Sequence, residues 1–154
     1  MKKVIASDLD GVLAIGTKRD KPYSKQNKYE RLEFEKLRVE MYKNSPLLFI
    51  PNEPFYIISG RKEKYRDISD AWIKKNNLNV IKSFYLEGQR NRENMIRFKI
   101  DKLKEINANI FYEDDPKLIK EIKKQLPNLK IIQVPRTKEN IKVLSININQ
   151  IKLF

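Results

Sequence analysis

The chain has 154 residues, and neither cysteine nor histidine is among them. Without cysteine there is no disulfide and no thiolate metal site. Without histidine there is no Ser-His triad, no imidazole general base and no imidazole-ligated metal. Chemistry is left to carboxylates, hydroxyls, lysines and arginines. Long apolar runs are missing too, and none approaches membrane-spanning length. The opening MKKVIASDLDG holds only the short run VIA, too little for a signal peptide. A soluble, cytoplasmic protein with no membrane partner is expected. No internal repeat and no second domain stand out, and no G-x-x-x-x-G-K-[ST] stretch occurs.

What is present fits one globular domain. Apolar residues make up 40% of the chain, and its length is enough to bury a real core. The formal net charge of +13 suits a polyanionic partner such as nucleic acid. Heavy use of Lys, Asn and Ile throughout offers a plainer reading, a bias of composition.

Short β-branched and aromatic runs alternate with helical patterns. VIA at 4–6 reads as a buried strand. Residues 17–29 are polar and aperiodic, and are expected to form an exposed loop. A helix is predicted over 29–43 with Leu32, Leu37 and Met41 on its apolar side. PFYIISGR at 54–61 is a second strand. A helix follows with Ile68, Ala71 and Trp72 facing inward. A strand over 80–88, a helix over 92–106 and a strand over 108–115 come next. Pro116 opens a helix that Pro127 closes, and LKIIQVP at 129–135 is a further strand. The tail from 141 is expected to pair as an edge strand or to cross the sheet. Such β-loop-α alternation argues an α/β fold with a mostly parallel sheet and helices on both faces.

In parallel sheets ligands gather at the carboxyl ends of the strands. Three polar groups follow strand candidates directly: DLDG at 8–11, SGR at 59–61 and EDD at 113–115. They are expected to meet at one edge. Asp8 and Asp10 are two apart and would point to one side of an extended chain. With Asp114 and Asp115 they would repel unless a cation neutralised them, and an all-oxygen donor set favours Mg²⁺. Ser59 and Gly60 would form a small anion nest.

These residues together resemble the haloacid dehalogenase-like (HAD) phosphohydrolase superfamily. DLDGVL at 8–13 resembles its first motif, and YIISGR at 56–61 its second. Lys99, followed by Leu103, resembles the third, and YEDDP at 112–116 the fourth. The order agrees across residues 3 to 135. SGR, RDISDAWIKKNNL, the basic QRNR and EDD are similar to the 3′-phosphatase domain of phage-type polynucleotide kinase-phosphatases. The resemblance implies a Rossmannoid three-layer fold over 1–154, with residues 14–50 as a small cap-like insert. Those kinase-phosphatases carry a separate P-loop kinase domain, and with no P-loop stretch in this sequence a stand-alone phosphatase half is expected.

By that resemblance Asp8 is the nucleophile that forms an aspartyl-phosphate, and Asp10 is the acid and base. Asp8, the Asp10 backbone carbonyl and Asp114 would hold Mg²⁺, with Asp115 supporting the metal shell. Ser59 and the Gly60 N–H would hold phosphoryl oxygens, and Lys99 would offset charge between Asp8 and the phosphoryl group. Arg61, Arg66, Arg90 and Arg92 are the substrate-side cations. Two alternatives stay open. A register shift would make Glu113-Asp114 the working pair, and Lys102 or Lys104 competes with Lys99 for the pocket. A small cap implies an open site. The expected substrate is a nucleic-acid end or a nucleotide phosphate, with the 3′-phosphate favoured; a small-molecule or nucleoside monophosphate phosphatase is one alternative. A nucleic-acid-binding protein without turnover is the remaining alternative.

Overall fold

The computed structural model describes residues 2–146. Its centre is a five-stranded sheet in the order β4-β3-β1-β5-β6, and every pairing is parallel. The strands are β1 (Ile5–Ser7), β3 (Phe55–Lys62), β4 (Val80–Leu86), β5 (Ile110–Glu113) and β6 (Lys130–Gln133). The helices are α1 (Lys28–Asn44), α2 (Arg66–Lys75), α3 (Arg92–Glu105) and α4 (Pro116–Gln125). The fold is α/β with a parallel central sheet flanked by helices, a Rossmannoid three-layer arrangement.

Both faces of the sheet are apolar, as a parallel sheet covered on two sides requires. Side chains alternate, so each strand serves two cores. Ile5, Phe55, Ile57 and Tyr85 pack with Trp72 and Ile73 of α2. Ala6, Ile58, Phe84 and Phe111 pack with Ile100 and Leu103 of α3 and Leu118 and Ile122 of α4. This parity carries on past the strand ends and decides which way the polar residues there face.

Three expectations need correction. The stretch 17–29 is not a featureless loop. It holds β2 (Gly16–Arg19) and a single 3-10 turn at Tyr23–Lys25. β2 pairs in parallel with β7 (Ile141–Leu144), Gly16 opposite Ile141 and Arg19 opposite Leu144. No apolar alternation marks this strand, because its backbone partner comes from the far end of the chain. The rest of the tail, 147–154, lies outside the described residues.

The buried face of α1 is also different. Leu32 and Leu37 are exposed, and the helix buries Phe34 and Tyr42 instead. Arg38 lies between them on the same stripe, so the face reads Phe-Arg-Tyr and escapes an apolar count. In α2 the stripe is turned by one position. Ser69, Trp72 and Ile73 are buried while Ala71 is exposed. Ser69 faces inward because it meets Arg61. No helix among the described residues is long and apolar enough to cross a membrane.

Candidate active site

β1 lies between β3 and β5, so the residues leaving these three strands are neighbours at one sheet edge. Ala6 pairs with Phe111 and Ser7 with Tyr112, and the Asp8 N–H continues the ladder by donating to the Tyr112 carbonyl at 2.9 Å. Asp8 shares the parity of Ala6, and Glu113 that of Phe111. Both carboxylates therefore face the side covered by α3. There Lys99 reaches between them, its Nζ 3.2 Å from Asp8 Oδ1 and 2.7 Å from Glu113 Oε2. Helix geometry selects this lysine: Lys99, Ile100 and Leu103 form the buried stripe of α3. Lys102 is turned toward Glu105, and Lys104 is exposed.

Glu113 is fully engaged. Its Oε1 accepts from the Asp114 and Asp115 N–H groups at 3.1 and 3.3 Å, while Oε2 takes Lys99. Asp114 is buried, and Arg136 Nε donates to its Oδ2 at 3.1 Å. Asp115 caps α4, its Oδ1 accepting from the Lys117 and Leu118 N–H groups. It lies 3.6 Å from Arg92 and 3.8 Å from Arg136. Arg92 sits in the first turn of α3.

The other acid is held differently. β3 bulges between Ser59 and Lys62, where three steps on β3 match one on β4. Such a bulge re-aims side chains next to a site. Arg61 thereby forms a bidentate pair with Asp10, Nη2 at 2.7 Å and Nε at 2.9 Å, and donates through Nη1 to Ser69 Oγ at 2.9 Å. Its guanidinium also lies 3.7 Å from the centre of the Tyr42 ring. Arg61 is thus buried and committed to Asp10, not free for a ligand. Ser59 is buried too, its Oγ accepting from the Arg61 N–H, and it does not line the cleft. Arg66 lies elsewhere, paired with Glu63 and near Asp70 beside β4.

A cleft of about 140 Å³ opens over these groups. Asp8, Asp10, Gly60, Lys99, Glu113, Asp114 and Asp115 are in its walls. Arg38 and Tyr42 of α1, Gly16 and Thr17 of β2, Arg61, Arg90 and Arg136 line it as well, with Met95, Leu118 and Ile141 as its apolar part. Arg38, Tyr42 and Arg136 match no motif in the sequence and reach the cleft only through the fold. Only a strand-end position after β6 hinted at the last.

Burial, and then the neighbouring Glu113, push the Asp8 carboxyl up to about 8, although Lys99 pulls the other way. Burial raises Glu113 and Asp114 as well. Burial opposes the charge on Lys99, but Asp8 and Glu113 outweigh it and hold the lysine well above its ordinary value. A carboxyl whose folded pKa lies above its unfolded value stabilises the fold while protonated. That contribution is full below about pH 4 and lost as pH rises through about 8. The metal-free protein is therefore expected to lose melting temperature between about pH 4 and 8 relative to Asp8→Asn, with ionic strength matched. Parallel falls in both proteins would refute this.

Asp8, Glu113 and Asp114 form a buried tri-acidic cluster whose oxygens lie within 4.8 Å of one another. It is able to chelate a divalent cation such as Mg²⁺. The all-oxygen donor set fits a hard cation. So does the space: Gly11 stands against the cluster with φ +82°, and a Cβ there would lie 2.3 Å from Asp114 Oδ2. Gly11→Ala is expected to displace the Asp114 carboxylate, weaken divalent-cation binding at least about tenfold, and destabilise the fold by about 1–2 kcal/mol. Calorimetric Mg²⁺ titration and chemical denaturation check both; wild-type affinity would show that Asp114 is not a ligand.

Solved structures of similar fold include a chain from a structure of the Pnkp1/Rnl/Hen1 RNA repair complex. It superposes with a TM-score of 0.55 at 16% identity, over 86% of this chain and 42% of its own length. A chain from another Pnkp1/Rnl/Hen1 complex gives 0.54 at 18% identity, over 86% of this chain and 45% of its own. At such identity the likeness is one of fold. The chain spans less than half the length of those it matches. No protein-family model and no curated protein matches the sequence.

Proposed function

We propose that this protein is a Mg²⁺-dependent phosphomonoesterase of the HAD type. It removes phosphate, the 3′-phosphate favoured, from nucleic-acid or nucleotide ends through an aspartyl-phosphate on Asp8. The observation that carries this reading is Asp8 in the cleft wall, 3.2 Å from buried Lys99, with Asp10 two residues on clamped by Arg61.

Asp8 attacks phosphorus with a carboxylate oxygen, and the bond from phosphorus to the leaving alcohol breaks. Asp10 gives that alcohol a proton. It then takes one from the water that attacks the aspartyl-phosphate, and inorganic phosphate leaves. Arg61 holds Asp10 over the reacting atoms through both steps. Lys99 offsets charge on Asp8, and Glu113 holds Lys99 in place. Glu113 has both oxygens engaged, so Asp8 and Asp114 would hold the cation directly. Bound there, Mg²⁺ would neutralise charge on the transferring phosphoryl group. The Gly60 backbone at the bulge, Arg38 and Arg90 form the phosphate side of the cleft. The +13 charge and the likeness in fold to a chain of an RNA repair complex favour a nucleic-acid end.

Phosphate release in Mg²⁺ tests this, with Asp8→Asn as the blank. The substrates are a 3′-phosphorylated oligonucleotide, its 5′ counterpart and free 3′- and 5′-mononucleotides. Release from the 3′-oligonucleotide above all others is expected, and it should fall with added salt. Preference for mononucleotides would move the reading to nucleotide metabolism, and silence on all four would overturn it.

A further inference from the structure

Two arginines engage the acids of the cleft, and they do so in opposite ways. Arg61 has a side chain 1% exposed and three hydrogen bonds, all shorter than 3 Å. Arg136 has a side chain 51% exposed and one hydrogen bond, from Nε to Asp114 Oδ2 at 3.1 Å; its 3.8 Å approach to Asp115 is too long for another. It extends from the loop after β6 and spans the acidic pair from outside. Arg61 is built in, and Arg136 is held at the surface by one charged hydrogen bond.

Charge balance asks what Arg136 does there. Asp8, Glu113 and Asp114 carry up to three negative charges, and buried Lys99 answers only one of them. With no divalent cation present, Arg136 supplies the next positive charge where Asp114 needs it. A bound divalent cation makes that charge surplus and repels it. The incoming phosphate monoester is a dianion, and the guanidinium fork matches its oxygens. Arg136 already lines the same cleft as Asp8.

We infer that Arg136 is an exchanging counter-ion: it neutralises Asp114 in the metal-free protein and passes to the substrate's phosphate once a divalent cation is bound. The inference rests on the metal site proposed above. It makes cation and phosphate binding cooperative through one side chain, and it gives Arg136 opposite effects on the two ligands.

The test uses Mn²⁺ binding followed by electron paramagnetic resonance, and inorganic phosphate binding at saturating Mn²⁺ followed by calorimetry. Five proteins are compared: wild type, Arg136→Gln, Arg136→Lys, Lys138→Gln and Asp114→Asn. Lys138 is exposed in the same loop, and among the described residues it pairs with no acid of the cleft. Arg136→Gln is expected to tighten Mn²⁺ about three- to tenfold and to weaken phosphate by a similar factor. Lys138→Gln should move neither more than about twofold, since a solvated charge farther off is screened. Arg136→Lys keeps the charge without the fork and should fall between wild type and Arg136→Gln on both axes.

A merely structural role would shift both affinities the same way. The inference is overturned if Arg136→Gln weakens or leaves Mn²⁺ binding, leaves phosphate binding unchanged, or is matched by Lys138→Gln. If wild type binds no Mn²⁺ that Asp114→Asn removes, the metal site itself fails and takes the inference with it.

Discussion

Asp8→Asn is expected to abolish phosphate release, with a loss of about four orders of magnitude or more in kcat, while the protein stays folded. An amide is no nucleophile toward phosphorus, and no neighbouring group can replace it: Glu113 is closed in by Lys99 and two backbone N–H groups. Stability should hold or rise. Asp8 is a buried carboxyl pushed up to about 8, so near neutral pH folding must protonate it, a cost that a neutral amide of the same shape does not carry. Lys99 keeps Glu113 at 2.7 Å. Activity and melting temperature should thus move apart. Steady-state phosphate release beside a thermal melt checks both. Retention of a tenth of wild-type activity would place the nucleophile elsewhere.

Lys99→Met is the complementary experiment, and it should cost both activity and stability. The lysine is 3% exposed and lies between two buried carboxyls. Breaking a buried ion pair from one side leaves charge uncompensated, with a typical cost of about 3–5 kcal/mol. Asp8 and Glu113 can escape part of it by taking up protons, since burial already raises both. The penalty should therefore grow as pH rises from about 5 to 8, and Mg²⁺ should relieve part of it. Urea denaturation at both pH values, with and without Mg²⁺, measures this. A penalty that is the same at both pH values would show that the carboxyls do not titrate as described.

Much of the fold was legible because it is local. The strands β1, β3, β4, β5 and β6 appear as short apolar runs, and α2, α3 and α4 follow from spacing and capping. Pro116 after Asp115 is one such signal, realised as an N-cap with proline in the first turn. The misreadings lie where a local pattern meets a distant partner. β2 is polar and pairs with a segment over a hundred residues later, Gly16 with Ile141. α1 hides Phe34 and Tyr42 around an arginine, because that face borders a charged cleft and not the apolar core.

The candidate site divides in the same way. Asp8 and Asp10 stand out because two acids leave one strand together. The roles of Glu113 and Arg61 do not. Glu113 faces Lys99 only because β5 pairs with β1 in the register that sets Phe111 beside Ala6. Arg61 looks like a substrate-side cation until a bulge turns it onto Asp10, fifty-one residues away in sequence.

The alternation of strands and helices, the acids at the strand ends and the absence of histidine and cysteine ligands are all written in the order of residues. These follow from residue type and from periods of two and 3.6 residues, which neighbours in the chain impose. Which charges pair, which are buried and which are left facing the cleft depends instead on how distant segments pack. A pairing energy depends on separation and dielectric, and both are set by strand register and packing between segments far apart in the chain.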